Sequence, residues 1–165
     1  MDFKKSDLKL YGFQGFVPVS NFKTKGCDII PKKKGIYIVI REDMENVTFL
    51  EQSIGGFFKD KCPTVPIGEL KNNWIENACV LYIGKAGGAA SAATLFSRIR
   101  QYVRFGMGAK VGHWGGRYIW QLKNSDSLLI AWKPLDQEEP HLIESYLIEK
   151  FANFYGKRPF ANLMG

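Results

Sequence analysis

Two short runs of β-branched and aromatic residues constrain this chain most. In the first, Ile36, Ile38 and Ile40 alternate with Tyr37 and Val39 behind Gly35, the period-two pattern of a strand. Cys79 to Gly84 forms a second run of this kind, and Gly87-Gly88 breaks it. The first run opens on Gly35-Ile36-Tyr37 and the second closes on Tyr82-Ile83-Gly84, so each carries a tyrosine close to a glycine.

The helices have a different signature. Thr94 is placed to cap a helix running to Phe105, with Gly106 as its stop signal. Leu95, Ile99 and Val103 supply its core stripe, Arg98 and Tyr102 lie four apart on a neighbouring face, and Arg100 and Arg104 form another such pair. A last helix starts near Asp136, where Asp136 and Glu139 resemble a capping box and Pro140 suits a first turn. Its expected buried stripe is Ile143, Leu147, Phe151 and Phe154, and Gly156 and Pro159 end it. Tyr118–Leu122 and Leu128–Trp132 read as further strands. Residues 1–34 read as an irregular N-terminal extension. Residues 42–77 read as an insert between the first two core strands, with a short helix near Glu69–Glu76. The sum is an α+β fold over 1–165, one domain with a small, mainly antiparallel sheet of about three core strands flanked by helices.

The chain carries a net charge of +7, and its distribution says more than its size. From Ala78 to Ser125 there is no acidic residue, while Lys85, Arg98, Arg100, Arg104, Lys110, Arg117 and Lys123 fall in that stretch. Segregation of this kind suits a face for a polyanion, and equally a surface kept basic for solubility. The longest aliphatic run, Ile36 to Ile40, is far too short to span a bilayer, so no membrane role is expected. The charged N-terminus has no apolar stretch behind it and does not read as a secretory signal. Cys27, Cys62 and Cys79 are widely spaced without a Cys-x-x-Cys, which fits reduced thiols in a cytoplasmic protein rather than a zinc site or disulfide framework.

The two tripeptides, followed in order by Leu95-x-x-Arg98 with Tyr102 four residues on, by Glu144 in the apolar frame Leu142-Ile143-Glu144-Ser145-Tyr146-Leu147-Ile148, and by Pro159-Phe160-Ala161-Asn162, resemble the GIY-YIG nuclease family. The continuation Tyr82-Ile83-Gly84-Lys85-Ala86 is similar to the N-terminal nuclease domain of the bacterial excision-repair incision subunit. The long insert leans towards the restriction endonucleases of the family. The resemblance implies a metal-dependent endonuclease that hydrolyses DNA phosphodiesters. It implies adjacent central strands whose tyrosines, Tyr37 and Tyr82, converge on the active site. Glu144 would hold Mg²⁺ or Mn²⁺, a hard cation that keeps several waters and for which one protein carboxylate suffices. Arg98 would contact the scissile phosphate with its fixed guanidinium donors. Tyr37 would be the general base, with Lys85, Arg98 and the metal favouring its phenolate, and Tyr82 would help position water or phosphate. Lys85 would contact phosphate or bias Tyr37, and Asn162 would brace the site.

Each residue also has a plainer reading. Tyrosine is common in strands, Arg98 and Glu144 suit exposed helix faces, and Asn162 suits a turn. Tyr102 could orient Tyr37 or simply pack against the sheet. Lys34, Arg100, Arg104, Lys110, His113 and Arg117 are the candidate nucleic-acid contacts, with Val111–Arg117 either a flexible basic and aromatic loop able to stack on a base or a tight turn around a core tryptophan. No organic cofactor is implied. Double-strand cutting would need a homodimer or two visits. The competing readings are a non-catalytic nucleic-acid-binding module on the same fold and an RNA-cleaving nuclease.

Overall fold

The computed structural model describes residues 1–163. Four strands form one open antiparallel sheet: β1 (Gln14–Pro18), β2 (Gly35–Ile40), β3 (Val80–Ala86) and β4 (Leu129–Pro134). Their order is β1-β4-β2-β3, which leaves β3 at one edge and puts β2 between β3 and β4. The helices are α1 (Lys5–Tyr11), α2 (Val19–Lys25), α3 (Ile67–Asn73), α4 (Leu95–Gly106) and α5 (Pro140–Tyr155). The fold class is α+β, as the sequence predicts.

The pleat sorts the strand residues onto two cores. Tyr37, Val39, Tyr82, Ile130 and Trp132 face a core shared with α2 and α4. Ile36, Ile38, Ile40, Ile83, Leu129 and Ala131 face a second core with Leu8 of α1 and Leu147 and Phe151 of α5. Burial on both sides explains why β2 is an unbroken apolar run.

Both tripeptide glycines answer to close packing. Gly84 lies opposite Tyr37 in the β2–β3 register, and a Cβ there would sit 2.5 Å from Tyr37 Cζ. A Cβ on Gly35 would sit 2.3 Å from the Lys133 carbonyl oxygen and 2.8 Å from Leu95 Cδ1. Only a missing side chain lets the Tyr37 ring lie across β3 and β4 approach the start of β2.

Helix α4 starts at its expected cap but runs through Gly106, the expected stop, to a C-cap at Met107, because Gly106 is the place where the Trp120 ring packs against the helix. Thr94 Oγ1 accepts from the Ser97 N–H at 3.1 Å, and Ser97 Oγ accepts from the Thr94 N–H at 2.9 Å. Leu95, Ile99 and Val103 are buried. Helix α5 departs in two details. Its N-cap is Glu139, with Pro140 in the first turn, while Asp136 lies outside and pairs with Lys33 at 3.7 Å. Phe154 is 54 % exposed; the buried side is built from Leu147 and Phe151, with Ile143, Ile148 and Tyr155 packed against it.

Three further segments differ from expectation. Residues 1–34 are ordered as α1, β1 and α2, so the sheet has four strands rather than about three. Short pieces account for this: each helix has seven residues, and β1 is bulged between Gly15 and Val17, which hides its alternation. Tyr118–Leu122 is not a strand. Trp114–Gln121 is 3₁₀-helical, and Tyr118, Ile119 and Trp120 are all buried, so consecutive apolar residues there reflect enclosure on every side. The helix in the insert is α3, a little earlier than expected.

The insert is fastened by buried polar groups. Gln121 Nε2 donates to the carbonyls of Leu50 (3.0 Å) and Val65 (2.8 Å), and its Oε1 accepts from the Val65 N–H at 3.0 Å. Arg41 donates to the carbonyls of Ala78 and Glu45 at 3.1 and 3.4 Å, and to that of Glu76, while its guanidinium stacks 4.6 Å over Trp74. The two ends of the insert are thereby held to the body.

Candidate active site

A cleft of about 630 Å³ gathers Tyr37 from β2, Tyr82 and Lys85 from β3, Arg98, Arg100 and Arg104 from α4, and Glu144 from α5. By the pleat, Tyr82 projects to the α4 side and Lys85 to the α5 side. The cleft therefore straddles the edge strand. Its lining carries four cations and one carboxylate, an arrangement that attracts a polyanion.

Arg98 is held in place by Gln101 and the loop. One guanidinium nitrogen donates to Gln101 Oε1 at 2.6 Å and to the Gly112 carbonyl at 3.1 Å. Its remaining donors stay available to a ligand. Glu144 Oε2 accepts from Lys85 Nζ at 3.2 Å, and the Glu144 side chain is mostly covered.

Behind the cleft four rings pack together: Tyr37, Tyr82, Tyr102 and His113. Tyr102 stacks on His113 with centroids 4.1 Å apart and an interplanar angle of 13°. His113 Nε2 and the Tyr37 hydroxyl are hydrogen-bonded at 2.5 Å. The Tyr102 hydroxyl donates to the Gly116 carbonyl at 2.9 Å, so Tyr102 anchors the loop and does not bond Tyr37.

Burial controls the charge state of the cluster. Tyr37 has no exposed surface, and its phenol is pushed well above the usual range by burial and by neighbouring Tyr82, with Arg98 pulling the other way. The expectation that nearby cations favour the Tyr37 phenolate is therefore corrected: desolvation outweighs Arg98. Tyr82 is 7 % exposed, and its phenol is raised to about 12, chiefly by burial. The imidazole of His113 is depressed to about 3, first by burial and then by Arg98, so it is neutral at ordinary pH.

The remaining expected residues fall in different places. His113 is completely buried, so it is not a nucleic-acid contact. Asn162 does not line the cleft. Its Oδ1 accepts from the Ile83 N–H at 2.9 Å and its Nδ2 donates to the Ile83 carbonyl at 2.8 Å, next to Tyr82 on β3. Arg117 lies in a separate groove with Lys157 and Arg158, stacked 4.6 Å over Trp114. Lys34 pairs with Glu139 at 3.6 Å, and Lys110 is exposed outside the cleft lining. One residue the sequence reading passed over takes part, Gln101, one turn from Arg98, and His113, expected as a nucleic-acid contact, takes part in a buried role instead. Gln101 was findable from its i, i+3 relation to Arg98.

Among the described residues no group of three or more His, Cys, Asp or Glu side chains is placed to hold a metal. Glu144 is a lone carboxylate on an open cleft, which suits a cation completing its shell with waters and phosphate oxygens. The donor set fits Mg²⁺ or Mn²⁺ once Lys85 releases Glu144. Among the described residues no helix is long and apolar enough to cross a membrane. Neither a family model, nor a curated protein, nor a solved structure matches this chain.

Proposed function

We propose that the chain is a metal-dependent endonuclease of the GIY-YIG type, hydrolysing DNA phosphodiester bonds. The observation that carries this reading is convergence: Tyr82, Lys85, Arg98 and Glu144 line one basic cleft with the buried Tyr37 directly behind it, although the five are scattered over more than a hundred residues.

In this reading Arg98, pre-aimed by Gln101 and the Gly112 carbonyl, binds the scissile phosphate through donors of fixed geometry. Arg100 and Arg104, further along the same helix, hold the flanking backbone. Lys85 exchanges its Glu144 partner for a phosphate oxygen. Glu144 would then hold the divalent ion, whose chemistry when bound is to stabilise charge on the phosphate and the departing oxygen. One tyrosine of the pair, having first lost its own proton to solvent, would take the proton of the attacking water as a phenolate; the water oxygen bonds phosphorus as the bond to the leaving oxygen breaks, and that oxygen is protonated from solvent.

A second reading, a non-catalytic nucleic-acid-binding module, draws support from the Lys85–Glu144 ion pair, in which the Glu144 carboxylate of the cleft is already partnered. The two separate on incubation of supercoiled plasmid with Mg²⁺. The endonuclease reading expects nicking by the wild type and none by Glu144→Ala. Salt-sensitive binding without cleavage would favour the module. A matched RNA substrate at the same ionic strength decides the nucleic acid.

A further inference from the structure

Next to the cleft lies a second groove, of about 720 Å³, lined in part by Trp114, Gly115 and Arg117 of the 3₁₀ segment, by Lys157 and Arg158 after α5, and by Glu69 of α3. The two meet at Gly115: a Cβ there would lie 3.7 Å from the hydroxyl of Tyr82, which lines the cleft. With no side chain at this position, a strand leaving the cleft past Tyr82 has a way into the groove. Among the described residues the groove carries three cations against the one carboxylate of Glu69. Arg117 is half-buried; its guanidinium lies 4.6 Å over Trp114 and 5.6 Å over Tyr118, and its Nη1 donates to the Trp114 carbonyl at 3.2 Å. Among the described residues no carboxylate forms an ion pair with it. A cation held partly out of water and not neutralised is stabilised by an anion arriving beside it.

We propose that this groove binds a single-stranded flank of the nucleic acid whose phosphate Arg98 holds, so that the substrate is a duplex with an unpaired tail or branch. Phosphates of the flank meet Arg117, Lys157 and Arg158. An unpaired base stacks on the partly exposed Trp114 and the guanidinium over it, since indole and guanidinium planes both present a stacking face. The bases of a duplex stack on one another and leave no face for Trp114, so this combination of aromatic and cations selects an unpaired strand. The position of the scissile phosphate at Arg98 is taken from the endonuclease reading, on which this rests, whereas none of the three cations of the groove lines the cleft.

Fluorescence anisotropy in EDTA, at one salt concentration, compares a blunt DNA duplex with the same duplex carrying a single-stranded tail of about ten nucleotides. Wild type is expected to bind the tailed duplex at least about tenfold more tightly. The double variant Lys157→Gln, Arg158→Gln removes two charges from the groove without touching the loop. It should bring the tailed duplex to within about threefold of the blunt one, with blunt-duplex affinity within about twofold of wild type. Its slope of log K against log salt for the tailed duplex should be shallower by about 1.4, about 0.7 for each lost phosphate contact. Trp114→Leu should weaken the tailed duplex by about tenfold at an unchanged salt slope, which separates stacking from charge. A blunt duplex bound as tightly as the tailed one by wild type, or a double variant that weakens both equally, would overturn the single-strand groove. Cleavage is read separately with Mg²⁺, on supercoiled plasmid and on the tailed duplex. Cutting without any tail preference in binding ends the groove alone. Tail preference with neither substrate cut supports the groove and removes the endonuclease reading.

Discussion

The carboxamide of Asn162 closes on both main-chain groups of Ile83, accepting from its N–H and donating to its carbonyl. Together with the Ala161 N–H, which donates to the Leu81 carbonyl at 2.8 Å, it acts as a short substitute for the missing neighbour of edge strand β3. Tyr82 sits between Leu81 and Ile83, so the C-terminal segment fixes the strand that presents it.

Asn162→Ala leaves two main-chain groups of β3 without partners and should cost about 1–3 kcal/mol, read from urea unfolding. Asn162→Asp should be no better, because a carboxylate faces the Ile83 carbonyl where an amide donated.

Gly84→Ala places a methyl group against the Tyr37 ring, for which β2 and β3 have no room. A loss of about 1–3 kcal/mol is expected by the same measurement. Nicking should fall more steeply than stability, because the ring displaced belongs to the tyrosine pair.

Lys85→Met releases Glu144 from its ion pair. The Mg²⁺ concentration for half-maximal cleavage should fall by a few-fold, because an opposing cation no longer competes for the carboxylate. Affinity for DNA should weaken through the lost positive charge. An unchanged Mg²⁺ requirement would detach Glu144 from the metal.

Arg98→Ala should reduce cleavage roughly 10²–10³-fold, the scale of a lost charge-stabilising donor. Arg98→Lys should recover little of this, since an ammonium cannot keep the Gln101 and Gly112 contacts while reaching a phosphate.

The buried imidazole sets a pH dependence of stability. His113 has a folded pKa of about 3, below its ordinary value of 6.5, so the unfolded chain binds the extra proton first. Its contribution is fully present above the unfolded pKa and declines as pH falls from there towards 3. Between pH 7 and 5 the loss should be about 2 kcal/mol in urea unfolding. His113→Phe should remove that portion of the slope.

The strands β2 and β3 and helices α4 and α5 were legible because their patterns are local: alternation, a Thr94 cap, an apolar stripe. The N-terminal elements were not, since α1, β1 and α2 are short and stabilised by what they pack against. The same holds for Tyr118–Ile119–Trp120, where an apolar run is equally a strand or an enclosed 3₁₀ turn. Within the cleft, Tyr37, Tyr82, Arg98 and Glu144 could be named from their settings. His113 was singled out for the opposite reason, as an exposed loop base-stacker, because sequence cannot tell a histidine at a tip from one folded under it.

The pleat carries a constraint of its own. Tyr37 and Tyr82 share one side of the sheet with neighbouring isoleucines on the other. Inserting one residue within β2 ahead of Tyr37 would turn that phenol to the isoleucine side, beneath α5, while Tyr82 on β3 kept its place. Residues 42–77 join the strands outside the paired ladder, so lengthening that connection leaves the parity untouched. Any drift in size within this lineage should therefore accumulate between the strands and never inside them.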